Sequence, residues 1–131
     1  MILVWVDPKR EVNEATARLL REQGTWVIFL RNSDEAKDFL SAYEEKAASL
    51  RAKIRLVSNR TRPIDGGEVA GEELGKWFKA SPVWKANPFL LFCGEPDKVK
   101  GIRHDPFHGL FVTSDMQVLL AFGVEKDLLS S

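Results

Sequence analysis

Polar side chains that could take part in chemistry stand at the ends of four short apolar runs: Asp7, Asn59, Cys93 and Thr113. A carboxylate can bind Mg²⁺ or act as a nucleophile, and an amide cannot replace it as the nucleophile. In open α/β sheets, ligands bind beyond the carboxyl ends of the strands. If the apolar runs are parallel strands, these four side chains lie at one edge of the sheet and form the candidate site.

Basic side chains follow three apolar runs, at 1–6, 25–30 and 53–58: Lys9, Arg10, Arg31, Arg60 and Arg62. Together with helix N-termini, they could form a pocket for a phosphate, a nucleotide or an acidic peptide. The alternative interpretation is that they are ordinary solvated surface residues. Phosphate and nucleotides would separate the two interpretations, because only a binding pocket would raise the melting temperature in their presence.

Five apolar runs rich in β-branched and aromatic residues predict strands at 1–6, 25–30, 53–58, 89–93 and 108–113. Helix-like segments alternate with the runs, and the last of these predicts a helix from Ser114 to Leu129. Such alternation is typical of α/β folds with parallel strands. We therefore predict a five-stranded parallel sheet with helices on both faces.

Particular side chains carry more detailed predictions. In the first helix, Val12, Ala15, Leu19 and Gln23 fall near helical spacing, so we expect them on one side of the helix. The second helix has Ser33 as its predicted N-cap and an apolar stripe that predicts a length of about 17 residues. On the strands, Trp5 and Trp26 are expected in the core.

Two further tryptophans, Trp77 and Trp84, flank the segment KASPV. Tryptophan is enriched at the centres of protein interfaces, so the pair could form an exposed contact site. We favour the alternative that both side chains cover the edge of the core.

The composition limits the classes of function. The chain has 131 residues, which favours one domain over 1–131, and its 19 basic and 19 acidic residues give a net charge of zero. A balanced charge makes nucleic acid and anionic membranes unexpected partners. No apolar stretch approaches the roughly 18 residues of a transmembrane helix. Cys93 is the one cysteine, which excludes a disulfide within the chain and fits a reducing, cytoplasmic compartment.

Three parts of the sequence together resemble a known family: ILVWVDP at the first strand, LRNSDEAKDFL at the second strand and helix, and RLVSNRTRP with GGEVAGEEL at the third. In order and length, the chain is similar to the receiver domain of bacterial response regulators over nearly its whole extent. The resemblance implies a flavodoxin-like fold with the strand order 2-1-3-4-5.

The resemblance also implies which residues stand at the positions where receivers bind metal and phosphate. Receivers hold Mg²⁺ with two acidic residues after the first strand, and here Asp7 stands at one position and Pro8 at the other. The phosphoryl acceptor of the family is an aspartate at the end of the third strand, where this sequence has Asn59. An amide cannot form the acyl phosphate.

Two further positions depart from the family pattern. The serine or threonine after the fourth strand corresponds to Cys93 or Gly94, and the lysine after the fifth strand corresponds to Thr113. The loss of that lysine removes a partner for the phosphoryl charge. We therefore expect a pseudo-receiver that has no catalytic set, metal or cofactor and is not an enzyme.

The expected function is a regulatory signalling module that binds a protein partner or other domains of a longer chain. In receivers, the face formed by the last two helices and the last strand commonly mediates dimerisation, so the helix from Ser114 to Leu129 is the candidate surface for a homodimer. Two alternatives remain open. One is a small α/β domain that binds a phosphate-containing ligand in the basic crevice, and the other is an unrecognised enzyme that uses Asp7, Asn59 and Cys93.

Overall fold

The computed structural model describes residues 1–63 and 67–124. Within them, five strands form one sheet in the order β2-β1-β3-β4-β5, and every neighbouring pair is parallel. The strands are β1 (Ile2–Val6), β2 (Trp26–Leu30), β3 (Ile54–Asn59), β4 (Phe89–Phe92) and β5 (Leu110–Thr113). The predicted fold class and strand order are confirmed.

Helices lie between the strands and after the last one. They are α1 (Arg10–Glu22), α2 (Ser33–Tyr43), α3 (Ala48–Arg51), α4 (Ala70–Ala80), α5 (Pro96–Val99) and α6 (Met116–Val124), with a 3₁₀ turn at Pro106–His108. The part of the predicted last helix beyond Val124 lies outside the described residues. None of the helices in the described ranges has the length and hydropathy that a membrane span requires.

The sheet is apolar on both sides and carries a helical layer on each. On one side, Val4, Leu56 and Leu91 pack with residues of α2 and α4, which we call the α2–α4 face. On the other side, Leu3 and Val57 pack with residues of α1 and α6, which we call the α1–α6 face. Consecutive strand residues point to opposite sides, so a continuous apolar run serves both layers.

Helix α1 uses a different face from the predicted one. Val12 and Leu19 are 71% and 51% exposed, whereas Asn13, Ala17 and Leu20 are buried. The spacing of the buried set fits a helix equally well, but its first member is polar. The prediction of the apolar side was wrong by one position, because Asn13 is buried for its hydrogen bond and not for its hydrophobicity.

Helix α2 is shorter than predicted and begins one residue earlier, because its N-cap is Asn32 and not Ser33. The side-chain oxygen of Asn32 accepts a hydrogen bond from the Glu35 backbone N–H at 2.9 Å. The helix ends at Tyr43, and α3 follows as a separate turn. The Arg51 guanidinium donates to the Glu44 carbonyl oxygen at 2.9 Å, so a side chain of α3 satisfies a carbonyl at the end of α2.

The tryptophans divide between core and surface. Trp5 is buried as predicted, but Trp26 is 72% exposed because it is the first residue of the edge strand β2. Trp84 is fully buried and its ring stacks on Phe78 with centroids 6.0 Å apart. Trp77 is half-buried against the same core. The interpretation that Trp77 and Trp84 cover the core is confirmed.

Candidate functional site

The Asp7 carboxylate follows β1 at the carboxyl edge of the sheet and is buried. Its Oδ1 accepts a hydrogen bond from the Lys9 backbone N–H at 2.8 Å. Its Oδ2 accepts from the side-chain amides of Asn13, at 2.6 Å, and Asn59, at 2.7 Å. A buried carboxylate needs such donors to offset the loss of water. Asp7 is therefore held by three N–H groups from three different segments.

Asn59 is the last residue of β3, which pairs with β1 in the sheet. This pairing brings the Asn59 amide to the end of β1, where it donates to Asp7. An aspartate at the same position would place two carboxylates in direct contact, and like charges at that distance disfavour each other. The amide of Asn59 thus fits the carboxylate of Asp7 chemically.

Metal-binding groups are sparse around this pair. In residues 1–63 and 67–124, no three His, Cys, Asp or Glu side chains come together as metal ligands. Both oxygens of Asp7 already accept N–H hydrogen bonds. A divalent cation would have to displace these donors before it could bind the carboxylate.

An open cleft of about 690 Å³ lies above Asp7 and Asn59. The described residues that line it include three cations and three carboxylates: Lys9, Arg60, Lys98, Asp7, Glu68 and Glu95. The Arg60 Nε donates to Glu72 at 2.7 Å, and Lys98 lies 3.4 Å from Glu68. Charge in the described part of the cleft is therefore balanced, and two of its cations, Arg60 and Lys98, lie beside carboxylates of the same chain.

The predicted basic rim is only partly assembled. Of its five residues, Lys9 and Arg60 line the cleft. Arg10 and Arg31 instead lie beside carboxylates four residues ahead, Glu14 at 3.5 Å and Glu35 at 2.8 Å. Residues i and i+4 are neighbours at helical spacing, so these two arginines pair with carboxylates of α1 and α2.

Arg62, the fifth of these residues, is completely buried. Its guanidinium donates to the hydroxyls of Ser58 and Ser33, and to the carbonyl oxygens of Asn59 at 3.3 Å and Ala70 at 3.4 Å. These partners belong to the end of β3 and the starts of α2 and α4. Arg62 is therefore an interior link between three elements and does not belong to an exposed rim.

Comparisons with solved structures agree with the fold. No family model matches the sequence, and no curated protein matches it. Among solved structures, a sensor protein from Polaromonas sp. JS666 superposes with a TM-score of 0.65 at 8% identity, covering 94% of this chain and 91% of that one. The receiver domain of the hybrid histidine kinase CckA gives 0.62 at 18% identity, covering 95% and 100%.

A third structure is the signal receiver domain of a signal transduction histidine kinase from Syntrophus aciditrophicus. Its TM-score is 0.58 at 18% identity, and the match covers 99% of this chain and 98% of that domain. The chain has the receiver fold. At these identities, the likeness extends to the arrangement of strands and helices, and the chemistry of the site depends on the residues present here.

Cys93 follows β4 in the receiver fold and lines the cleft as a buried thiol. Its backbone N–H donates to the Thr113 carbonyl oxygen at 2.8 Å. Burial raises the pKa of the thiol, the charge of Arg60 opposes this shift and the charge of Glu72 adds to it. A thiol with a raised pKa is mostly protonated at neutral pH, so Cys93 is not an activated nucleophile.

Thr113 ends β5, where the resemblance places the lysine of receivers. Its hydroxyl accepts a hydrogen bond from the Asp115 backbone N–H at 3.0 Å. Asp115 in turn accepts from the Gln117 backbone N–H at 2.8 Å, which satisfies a donor at the start of α6. Thr113 therefore shapes the turn into α6.

Helix α4 begins directly against the site through Gly71. The Gly71 backbone N–H donates to the Arg60 carbonyl oxygen at 2.9 Å. A Cβ at this position would overlap the carbonyl oxygen of Asn59 and would lie 2.7 Å from Cδ1 of Leu91. Only glycine allows this approach, so α4 holds the backbone of Asn59 in place.

Two parts of the site were not predicted from the sequence: the Asn13 contact and the Arg62 network. The signal for Asn13 was a polar residue at the spacing of Ala17 and Leu20 on α1. The signal for Arg62 was the hydroxyl of Ser58, which directly follows the apolar Leu56 and Val57 in β3. A buried polar group requires a partner, and that requirement would have directed the search to both residues.

Proposed function

We propose that this chain is a receiver-fold interaction module of a signalling system that does not accept a phosphoryl group at Asn59. The observation that carries the proposal is the 2.7 Å hydrogen bond from the Asn59 amide to Asp7. A receiver is phosphorylated when a carboxylate oxygen attacks phosphorus, and an amide lacks that nucleophile. The amide serves instead as a donor to the neighbouring carboxylate.

The surroundings of Asp7 support the same proposal. Pro8 follows it in the sequence, so no second carboxylate is adjacent. Phosphoryl transfer in this class depends on a cation that neutralises the developing charge. Asp7, with its oxygens already bound by N–H groups, is poorly placed to hold one.

The structural similarity to receiver domains of two histidine kinases supports a signalling role, with a protein partner or other domains of a longer chain as the binding partner. Self-association through α6 has less support. Leu119 and Phe122 are buried against the sheet, and Met116 and Leu120 pack against the same core. In the described part of this helix, the exposed apolar residues are Val118 and Val124, so little apolar surface there supports a second copy.

The alternative function is a cleft for a phosphate-containing ligand, with Lys9 and Arg60 as its cations. The equal number of cations and carboxylates in the described part of the cleft weakens the attraction for an anion. Arg60 is also engaged by Glu72. The interaction module is therefore the better supported function.

The test is incubation with acetyl phosphate and Mg²⁺, followed by intact-protein mass spectrometry. The expected result is no added phosphoryl group, under conditions that modify a receiver domain with an acceptor aspartate. A phosphoryl adduct that hydroxylamine removes would show that a carboxylate such as Asp7 accepts the group and would overturn the proposal. Thermal shift with inorganic phosphate and nucleotides is the parallel measurement, and a clear rise in the melting temperature would favour the ligand-binding alternative.

A further inference from the structure

The connection from β4 to β5 leaves part of the sheet without a full helix. Residues 93–109 make this connection, and only Pro96–Val99 among them are α-helical. The other two crossings of the same face carry α2 and α4, which have 11 residues each. Parallel sheets are normally covered by helices on both faces. Over β4 and β5, the helical layer on the α2–α4 face is therefore reduced to the short α5 and the irregular segment after it.

A groove of about 500 Å³ lies at this place, and we call it the α4–β5 groove. Gly75 of α4 lies on one side of it and Ile102 on the other. A Cβ at Gly75 would lie 2.6 Å from the ring of Phe89, so the helix sits close to the sheet. Of the apolar residues that line it, Leu110 and Ile102 are partly exposed, and Phe89, Leu91 and Val112 lie buried beneath them.

The charged residues of the groove are mostly basic. Among the described residues that line it, Lys76, Lys79 and Arg103 are cations and Glu72 is the one carboxylate. Glu72 accepts a 2.7 Å hydrogen bond from Arg60, which neutralises it. The chain as a whole has a net charge of zero, so this excess of positive charge is local.

The nearest carboxylates outside the groove do not cancel this excess. Lys76 lies 3.5 Å from Glu73, and both side chains are mostly exposed. Arg103 lies 2.7 Å from Asp105, with the arginine side chain 74% exposed. Exposed ion pairs contribute little and exchange readily for another partner. Lys76 and Arg103 are therefore available to carboxylates of a bound molecule.

We propose that the α4–β5 groove binds an acidic amphipathic helix of a partner protein. The proposal specifies the chemistry of the partner of the interaction module and rests on that proposed function. Aliphatic side chains of the helix would contact Leu110 and Ile102, and its carboxylates would face Lys76 and Arg103. This mode of recognition, a helix laid into an apolar groove, is common among proteins.

A helix fits the site better than an extended peptide does. The groove lies on the face of the sheet, between α4 and the segment after α5, whereas an extended peptide adds to the edge of a sheet. A helix with its side chains is about 10 Å across, which is the spacing of a helical layer on a sheet. The bound helix would lie over Leu110 and Ile102, beside the short α5.

The experiment measures fluorescence anisotropy of labelled peptides with the purified chain. The first peptide has about 14 residues, roughly four helical turns, with leucines at i, i+3, i+4 and i+7 and glutamates elsewhere. The second replaces each glutamate by lysine, and the third is a scrambled form of the first. The acidic helix should bind at least about 10-fold more tightly than either of the other two peptides.

Charge-reversal variants locate the binding. The double variant Lys76→Glu and Arg103→Glu should weaken binding of the acidic helix by about 10-fold or more. Both side chains are exposed, so the variant should fold normally. The matched control is Arg18→Glu with Lys46→Glu, two exposed residues that do not line the groove, and it should bind like the original chain.

Several results would overturn the proposal. These are equal binding of the acidic and basic peptides, no binding of any peptide, or an unchanged affinity in the groove variant. A dimer seen by ultracentrifugation and lost in the same variant would show that the groove takes a second copy of the chain. The phosphorylation test does not involve the groove. If the peptides do not bind as expected, the proposal that Asn59 accepts no phosphoryl group still stands. If the chain is phosphorylated, the peptide-binding result still stands.

Discussion

At the scale of single residues, the hydrogen bond between Asp7 and Asn59 determines the chemistry of the site. The carboxylate is buried and accepts N–H groups from Lys9, Asn13 and Asn59. Each donor offsets part of the cost of removing a charged group from water. The polar residues at the carboxyl edge of this sheet therefore stabilise the fold through one another.

The substitution Asn59→Asp should destabilise the chain and create a response to Mg²⁺. It removes a donor to Asp7 and places a second carboxylate beside the first, so unfolding free energy at neutral pH should fall by about 1–3 kcal/mol. Two adjacent carboxylates suit a hard cation, and Mg²⁺ should restore part of the loss. Urea unfolding with and without Mg²⁺ measures both effects.

Asn59→Ala is the control for this prediction. It removes the same amide but adds no charge, so its stability should not respond to Mg²⁺. If Asn59→Asp were as stable as the original chain and indifferent to Mg²⁺, the role assigned to the hydrogen bond with Asp7 would be wrong.

Lys79 is a second residue whose surroundings determine its behaviour. Its ammonium donates to the carbonyl oxygens of Asn87 at 2.5 Å and His108 at 3.0 Å. Burial lowers the pKa of Lys79 to about 8 from an ordinary value of 10.5. Between these two pH values the unfolded chain binds more protons than the folded chain, so this residue makes stability rise with pH.

Comparison of the original chain with Lys79→Met isolates this effect. The unfolding free energy of the original chain minus that of the variant should stay constant below pH about 8 and increase toward pH 10. Urea unfolding at a series of pH values measures the difference. Lys76→Met is the matched control, since it removes a mostly exposed lysine from the same helix, and the increase for Lys79→Met should exceed any change for the control. A flat difference for Lys79→Met would contradict the prediction.

At the scale of elements, helix α4 depends on glycines where it meets the sheet. Gly71 lies against the backbone of Asn59, and Gly75 lies against the ring of Phe89. In an exposed helix, replacing glycine by alanine stabilises by about 1 kcal/mol. At Gly71 and Gly75 the added methyl group would overlap neighbouring atoms, so alanine should lower the free energy of unfolding instead of raising it.

Gly71→Ala should lower the unfolding free energy by about 1–3 kcal/mol, because the methyl group would overlap the Asn59 carbonyl oxygen. The measurement is the midpoint of urea unfolding. Gly94→Ala is the control, since a Cβ at Gly94 meets no atom within 4 Å, and it should be close to neutral. A Gly71→Ala variant as stable as the control would contradict the close approach of α4 to Asn59.

Elements also show where sequence reasoning succeeds and fails. The strands were predictable because a continuous apolar run has few other uses in a chain of this size. The buried face of α1 was not predictable, because the buried Asn13 breaks the apolar pattern. The end of α2 at Tyr43 depends on a contact between Arg51 and the Glu44 carbonyl, which comes from the next turn of the chain.

At the scale of the whole molecule, the parallel sheet with helices on both faces follows from the alternation of elements, and its strand order came from the resemblance to receivers. The meeting of Asp7 and Asn59 at one edge was predictable from this order. The sequence did not predict that the five basic residues would lie apart from one another. Arg31 pairs with Glu35, four residues later in the sequence. Arg62 instead turns inward to the hydroxyls of Ser58, four residues before it, and of Ser33, 29 residues before it.

The interior position of Arg62 has a consequence for the motions of the folded chain. One side chain supplies hydrogen bonds to the end of β3, the start of α2 and the start of α4. If one of these segments moved away, the guanidinium would lose its hydrogen bonds there, and its bonds to the other two segments would be less firmly held. The three segments should therefore open together as one cooperative unit, so that their amide protons exchange with solvent at a shared rate.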